Sequence, residues 1–482
     1  MKEIKAAYVV TFCAALVIAL CTAMPASAQT FSVLHNFGSQ NGDSVNPSAN
    51  LAQGGDGALY GTSNSGGANG MGTVFKITVE GKLHVIYSFC STANCADGAS
   101  PNGGLMLRPN GHFLGTAQAG GSHGFGTVFD ITQTGIYTVL YNFTGGKDGA
   151  YPAAPPIPGP DGNFYGTTWE GGAASNCGTI YRMTISATAA VFTLLHEFDN
   201  AHGCQPAAAL ALGTDGYLYG PTIYGGNAGN GIIFKVATSG RIYVLHNFAG
   251  ASDGYNPVGP LIEGSDGNFY GTTRGIGAPT GGSIFKITPN GKLTVLHSMN
   301  GVDGAWLIGG LVQATDGNFY GAAEQGGDST DCDNGCGSLF QITPQGAFTV
   351  LYNFDGTTGY FAEATPFQHT NGLLYGDAYW GGITGGSCGS FGCGVFYSWD
   401  ANLPEFVSPL PYRGKAGSTI AFLGQGFTSS SMVSFNGKPA PTVVVSDTYL
   451  RATVPAGATT GFATVTTSHG TLSSNQKFLV TP

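Results

Sequence analysis

Charged residues make up only 9% of this 482-residue chain, and beyond its N-terminal end lysines and arginines never cluster. A surface that holds nucleic-acid phosphates needs a basic stripe, and the net charge of −10 runs the other way. Nucleic acid is therefore excluded as a partner. Long apolar runs are equally scarce. Only the stretch from Ala6 to Ala23 approaches the ~20 residues of a membrane span, and Thr11 and Thr22 interrupt it while Pro25 follows it. Catalytic signatures are missing too: there is no Gly-x-Ser-x-Gly elbow and no His-Glu-x-x-His segment. Gly-rich loops such as Gly66 to Gly72 lack the strand-to-helix setting of a phosphate cradle. One Asp per Asp-Gly turn falls short of the ~6–8 oxygens that calcium takes. No cofactor and no metal are expected.

What is abundant is glycine, with 80 residues. Many turns and few charged helix surfaces point to an all-β chain. Lys2 and Lys5, the apolar stretch and Ala26-Ser27-Ala28 read as a secretory leader over residues 1–28. The expectation is a secreted or cell-surface protein, with no membrane-spanning segment after the leader. Cys13 and Cys21 fall in the leader, and the remaining eight cysteines suit disulfides in an oxidising compartment.

A Tyr-Gly pair, once Leu-Gly, recurs at Tyr60, Leu114, Tyr165, Tyr219, Tyr270, Tyr320 and Tyr375. Six steps from 60 to 375 give a mean period of 52.5 residues. An Asp-Gly or similar turn precedes most copies. A Gly-Gly loop, a strand such as Gly72 to Thr78, a turn and a further strand follow. Each unit thus reads as a meander of four short strands. The last strand of the repeat also appears once before all the others, at Phe31 to Phe37, and is missing after the seventh unit. The N-terminal strand is expected to complete the last unit of a seven-bladed β-propeller spanning residues 29–400, which would remove two open sheet edges.

The units Leu59-Tyr60-Gly61-Thr62, Gly66-Gly67 and Gly72-Thr73-Val74-Phe75-Lys76-Ile77-Thr78 resemble the GloVer tandem-repeat family of exported bacterial proteins, over roughly residues 31 to 400. That resemblance implies a secreted or surface protein, often with a C-terminal anchoring module, and no defined activity. No short hydrophobic sorting tail of the kind typical of such proteins is expected. Leu403-Pro404 and Pro409 to Pro411 are expected to form a stiff junction, with an immunoglobulin-like β-sandwich over 404–482. Gly424-Gln425-Gly426-Phe427, Val433-Ser434-Phe435-Asn436-Gly437, Leu450 to Pro455 and Gly461 to Val465 resemble an IPT/TIG domain, which implies a spacer or contact module.

In an antiparallel meander, the loops between second and third strands share one face with the unit-to-unit loops, and the tight turns occupy the other. All eight cysteines fall on the loop face. The expected pairs are Cys90–Cys95, Cys177–Cys204, Cys332–Cys336 and Cys388–Cys393, although eight cysteines allow 105 connectivities. No His follows Cys332 and Cys336 at metal-ligand spacing.

The two positions starting four residues after each Tyr diversify between otherwise constant units. They hold Asn64, Gln118, Trp169, Glu170, Tyr224, Arg274, Glu324, Tyr379 and Trp380, among others. Aromatics, amides and carboxylates there suit a carbohydrate or a surface protein, and freely drifting loop residues are the alternative. Asp377, in place of the usual Thr, is the best lone carboxylate. Glu170 and Glu324, on the third and sixth units, should lie too far apart for glycoside chemistry, which needs carboxylates within ~10 Å. His35, His196, His246 and His297 share one repeated strand position with Tyr87, Tyr141 and Tyr352, which favours packing over catalysis. A binding role is expected ahead of an enzyme, with polysaccharide degradation or a structural matrix role as alternatives.

Overall fold

The computed structural model describes residues 29–48, 50–173, 175–186, 190–275 and 281–482, so the expected leader lies outside the described residues. Up to Asp400, seven successive sheets form, six of four strands and one of five. The fifth is typical: Ile262–Glu263, Phe269–Thr273, Ser283–Ile287 and Leu293–Ser298 pair in sequence order. The innermost strand is shorter than the meander reading implies, only two residues in most units. Strand Thr30–Asn36 pairs antiparallel with Val395–Asp400 and so sits in the seventh sheet. The same register shift interrupts the outer pair of all seven sheets, where an extra residue sharpens the local twist.

Side-chain chemistry explains the Tyr-Gly signature. The hydroxyl of Tyr270 donates to Asp266 in the preceding turn at 2.9 Å, and Tyr60, Tyr165, Tyr219 and Tyr320 do the same with Asp56, Asp161, Asp215 and Asp316. The turn aspartates are thus occupied by phenols, and in several units by a lysine such as Lys286, rather than open to a cation. The glycine lies under an aromatic ring of the third strand: a Cβ at Gly61 would meet Phe75 at 2.6 Å.

Neighbouring units share a polar clamp. Gln313 brackets Ser265, Gln368 brackets Thr315, and Gln53 of the first unit brackets Thr370 of the seventh, accepting from its amide at 3.1 Å and donating to its hydroxyl at 2.8 Å. Aromatic stacking also runs from unit to unit, as between Tyr87 and Tyr137 and between Phe31 and Tyr352.

The His/Tyr alternation is more than packing. His246 and His297 bond Asp253 and Asp303 at 2.8 Å, while the Tyr87 and Tyr141 hydroxyls donate to Asp97 and Asp148. Those aspartates cap loop amides; Asp253 accepts from the N–H groups of Ala249 and Gly250.

The C-terminal segment is a two-sheet sandwich closed over Phe422, Phe435, Leu450, Val465 and Phe478. The expected junction at Pro409 to Pro411 is instead part of it. Ser408–Leu410 pairs with Thr419–Leu423, and Val407 is fully buried, because an edge strand tolerates proline. The sandwich rests on the tight turns of the repeats. Thr448 donates to the Gly55 carbonyl, Tyr449 to Pro109, Arg413 to Gly213, and Gln425 to the Thr370 hydroxyl.

All four expected disulfides are present, and Cys95 and Cys388 each end a short 3-10 turn.

Candidate functional site

A cavity of about 720 Å³ opens among the innermost segments, and every one of the seven units contributes to its wall. One residue per unit, just before the inner strand, occupies an equivalent place: Ser48, Asn102, Ala153, Ala207, Val258, Ile308 and Glu363. Only Glu363 of these is ionisable. The wall is therefore mixed, with apolar side chains standing beside amide, hydroxyl and carboxyl groups.

The rim is built by paired backbone hydrogen bonds. The N–H groups of Gln118, Trp169, Arg274 and Glu324 donate to the carbonyls of Ser100, Tyr151, Asn256 and Trp306. Those accepting residues, with Asn46, Gln205 and Phe361, all have φ between 50° and 60°. Left-handed backbone is uncommon for bulky residues and costs on the order of 1 kcal/mol each, so a sevenfold ring of it needs the bonds that hold it. It turns Trp306 into the cavity wall, which Ala153 and Ala154 also line.

Of the residues expected from sequence, Gln118, Trp169, Tyr224 and Arg274 line this cavity together. Glu324 is 2% exposed and stands behind the wall. Burial, then the neighbouring Glu363, push its carboxyl up to about 8. Asp377 is buried on the second strand of its unit with neither oxygen bonded, and burial raises it well above the carboxylate range. Its repeat equivalent Thr272 donates to the Gly309 carbonyl of the next unit, a role an ionised carboxylate cannot fill.

Asn64, Glu170, Tyr379 and Trp380 are not in the wall. Glu170 lies in the third unit, where its carboxylate accepts from the Asn176 amide at 3.3 Å. Trp380 stacks on Phe391 at 5.0 Å and packs against Phe361 and Tyr360, forming a separate aromatic group. Asp377 faces Glu363 electrostatically rather than joining Trp380.

Trp306 and Glu363 were not anticipated. Glu363 is pushed up to about 7 by burial, against the opposing pull of Arg274. The Arg274 guanidinium lies 4.4 Å over the Trp306 ring. The Trp169 and Trp306 indole N–H groups have no hydrogen-bond partner among the described residues. A variable residue precedes a recurrent Pro in other units (Pro101, Pro152, Pro206, Pro257), but Leu307 replaces that Pro after Trp306, so the signal for this position is weak.

The repeat pattern extends across most of this architecture. The model of the Gloeobacter/Verrucomicrobia repeat matches residues 21–176 and 154–391. The chain belongs to that family. As a Gloeobacter/Verrucomicrobia repeat protein it also carries an IPT/TIG domain, matched over residues 404–480. Repeat and IPT/TIG domain together fit a surface or extracellular protein, and no helix among the described residues is long and apolar enough to cross a membrane. No curated protein matches the chain.

Among solved structures, a fungal alcohol oxidase of the AA5 family in complex with copper is similar at a TM-score of 0.53 and 14% identity, covering 95% of this chain and 100% of that one. A putative 6-phosphogluconolactonase from Bacteroides uniformis reaches 0.44 at 16% identity, covering 66% and 88%. The first likeness establishes a propeller-like all-β fold. Among the described residues, no group of three or more His, Cys, Asp or Glu side chains is arranged to hold a metal ion.

Proposed function

We propose that this repeat protein is an exported, seven-bladed propeller closed by its N-terminal strand, which binds a saccharide in the cavity on its loop face without turning it over. The carrying observation is the wall itself: Trp169 and Trp306 with Gln118, Arg274 and Glu363 around about 720 Å³. Flat aromatic faces take the C–H face of a sugar ring, and convergent polar groups orient its hydroxyls. The clamp from Gln53 to Thr370, equivalent to those between consecutive units, supports ring closure. The IPT/TIG domain occupies the tight-turn face and leaves the loop face free for a ligand. Residues 29–400 and 404–482 then divide the work as binding body and contact module.

A single carboxyl in the wall, among the described residues, supports binding over hydrolysis, because glycoside cleavage ordinarily uses two. Hydrolysis is favoured by one observation, that Glu363 holds a proton near neutral pH and faces the cavity. Incubating the full chain with soluble and insoluble polysaccharides, recording both retention and released sugar, separates the two. Retention without release, lost in Trp169→Ala/Trp306→Ala but kept in Trp380→Ala, is expected. Sugar release that depends on Glu363 would make the protein an enzyme.

A further inference from the structure

Among the described residues, Arg274 is the one cation in the cavity wall, and it is unusually placed. Its guanidinium rests on Trp306 and forms no ion pair within 4 Å with any of those residues, although Glu324 and Glu363 are its electrostatic neighbours. Stacking fixes the plane of the fork and leaves its edge N–H groups for another partner. A planar guanidinium edge matches a carboxylate through two parallel hydrogen bonds, which an ammonium or a neutral hydroxyl cannot reproduce.

On the proposed saccharide reading, we infer that the cavity is specific for an acidic sugar, a uronic acid whose carboxylate is held between the Arg274 fork and the carboxyl of Glu363.

The surrounding groups decide whether an anion is tolerated. Glu363 is faced by Glu324 from the sixth unit, Asp377 and Tyr379 from its own unit, and Arg274 from the fifth. If all three carboxyls were ionised, the site would carry two more negative than positive charges and would repel a uronate. Burial holds all three toward the neutral acid, with Glu363 at about 7 and Glu324 at about 8. Protonated Glu363 then donates a hydrogen bond to the sugar carboxylate and keeps its proton, so Arg274 is left as the net charge of the pocket. The chain's overall −10 opposes this only weakly, since charges farther than ~8 Å are screened at physiological salt.

The opposite assignment, a cationic amino sugar, would place its ammonium beside Arg274 and require the acids to ionise in a buried site.

The test titrates the full chain with oligogalacturonate, its methyl ester, a sulfated glucan and a neutral glucan at pH 6 and pH 8. Oligogalacturonate should bind best at pH 6 and about tenfold more weakly at pH 8, as Glu363 ionises through about 7. Arg274→Gln should weaken it about tenfold to a hundredfold, and Arg274→Lys should recover only part of that. Glu363→Gln should lose most of that pH dependence, keeping only the smaller part that Glu324 contributes as it ionises through about 8. Equal binding of the methyl ester, or a sulfated glucan binding as tightly as the uronate, would overturn the carboxylate assignment while leaving a saccharide site standing. Binding of none of the four would sink the saccharide reading itself.

Discussion

At the residue scale, the carboxyl of Glu324 makes the clearest thermodynamic statement. It is nearly inaccessible, and its folded value of about 8 lies above the ordinary 4.5. Between those values the folded chain keeps a proton that the unfolded chain has released, so this residue's contribution to stability falls as pH rises from 4.5 to about 8. Glu324→Gln removes that dependence. Urea unfolding should show the variant more stable than the parent at pH 8, by on the order of 4 kcal/mol, with the difference vanishing near pH 4.5. The repeated His/Tyr position makes a second prediction. Because both rings serve an Asp in the loop between units, His246→Tyr should cost less than His246→Phe, which strands the buried side of Asp253. The expected gap is about 1 kcal/mol in denaturant midpoint measurements.

The elements were legible to different depths, and for physical reasons. Tyr-Gly units, Asp-Gly turns and alternating strands are local patterns, and they located the sheets well. Thr419–Leu423 and Met432–Phe435 are strands of the sandwich, flanking the Gly424 to Phe427 segment and containing Val433 to Phe435 of the IPT/TIG resemblance. Pro409 misled, because proline reads as a linker unless one knows that an edge strand lies there. Within the site, Trp169 and Arg274 stood out because they vary beside a constant Tyr-Gly. Trp306 and Glu363 did not, since their orientation comes from left-handed backbone and from packing between units. The glycine of Tyr-Gly is set by contact rather than by turn geometry. Gly271→Ala would press a Cβ to 2.6 Å from Leu261 and 2.7 Å from Phe285, at a cost of about 1–3 kcal/mol read from thermal or urea unfolding. Disulfides differ by what they span. Cys177–Cys204 closes 27 residues between two units and Cys332–Cys336 only 4, so loop-closure entropy ranks them at about 3.5 against about 2 kcal/mol. Replacing each pair by serines should reproduce that order in unfolding midpoints.

For the whole molecule, the two faces are chemically unequal. The tight-turn face is spent on structure: its aspartates serve tyrosines and lysines, and its carbonyls accept from the IPT/TIG domain. The loop face carries the diversified side chains, the left-handed ring and the disulfides, and the cavity lies among them. The same asymmetry explains why the repeats are so regular on one side and so varied on the other. A scaffold that fixes its turns can change its loops without losing the fold. On the proposed reading, the ligand sits between Trp169 and Trp306, against Arg274 and Glu363. The most direct measurement is a crystal structure of the full chain soaked with the saccharide that it retains. Density for a sugar ring on those indoles is the predicted result. Density at Trp380 and Phe391, or on the IPT/TIG domain, with the cavity holding only water, would contradict it.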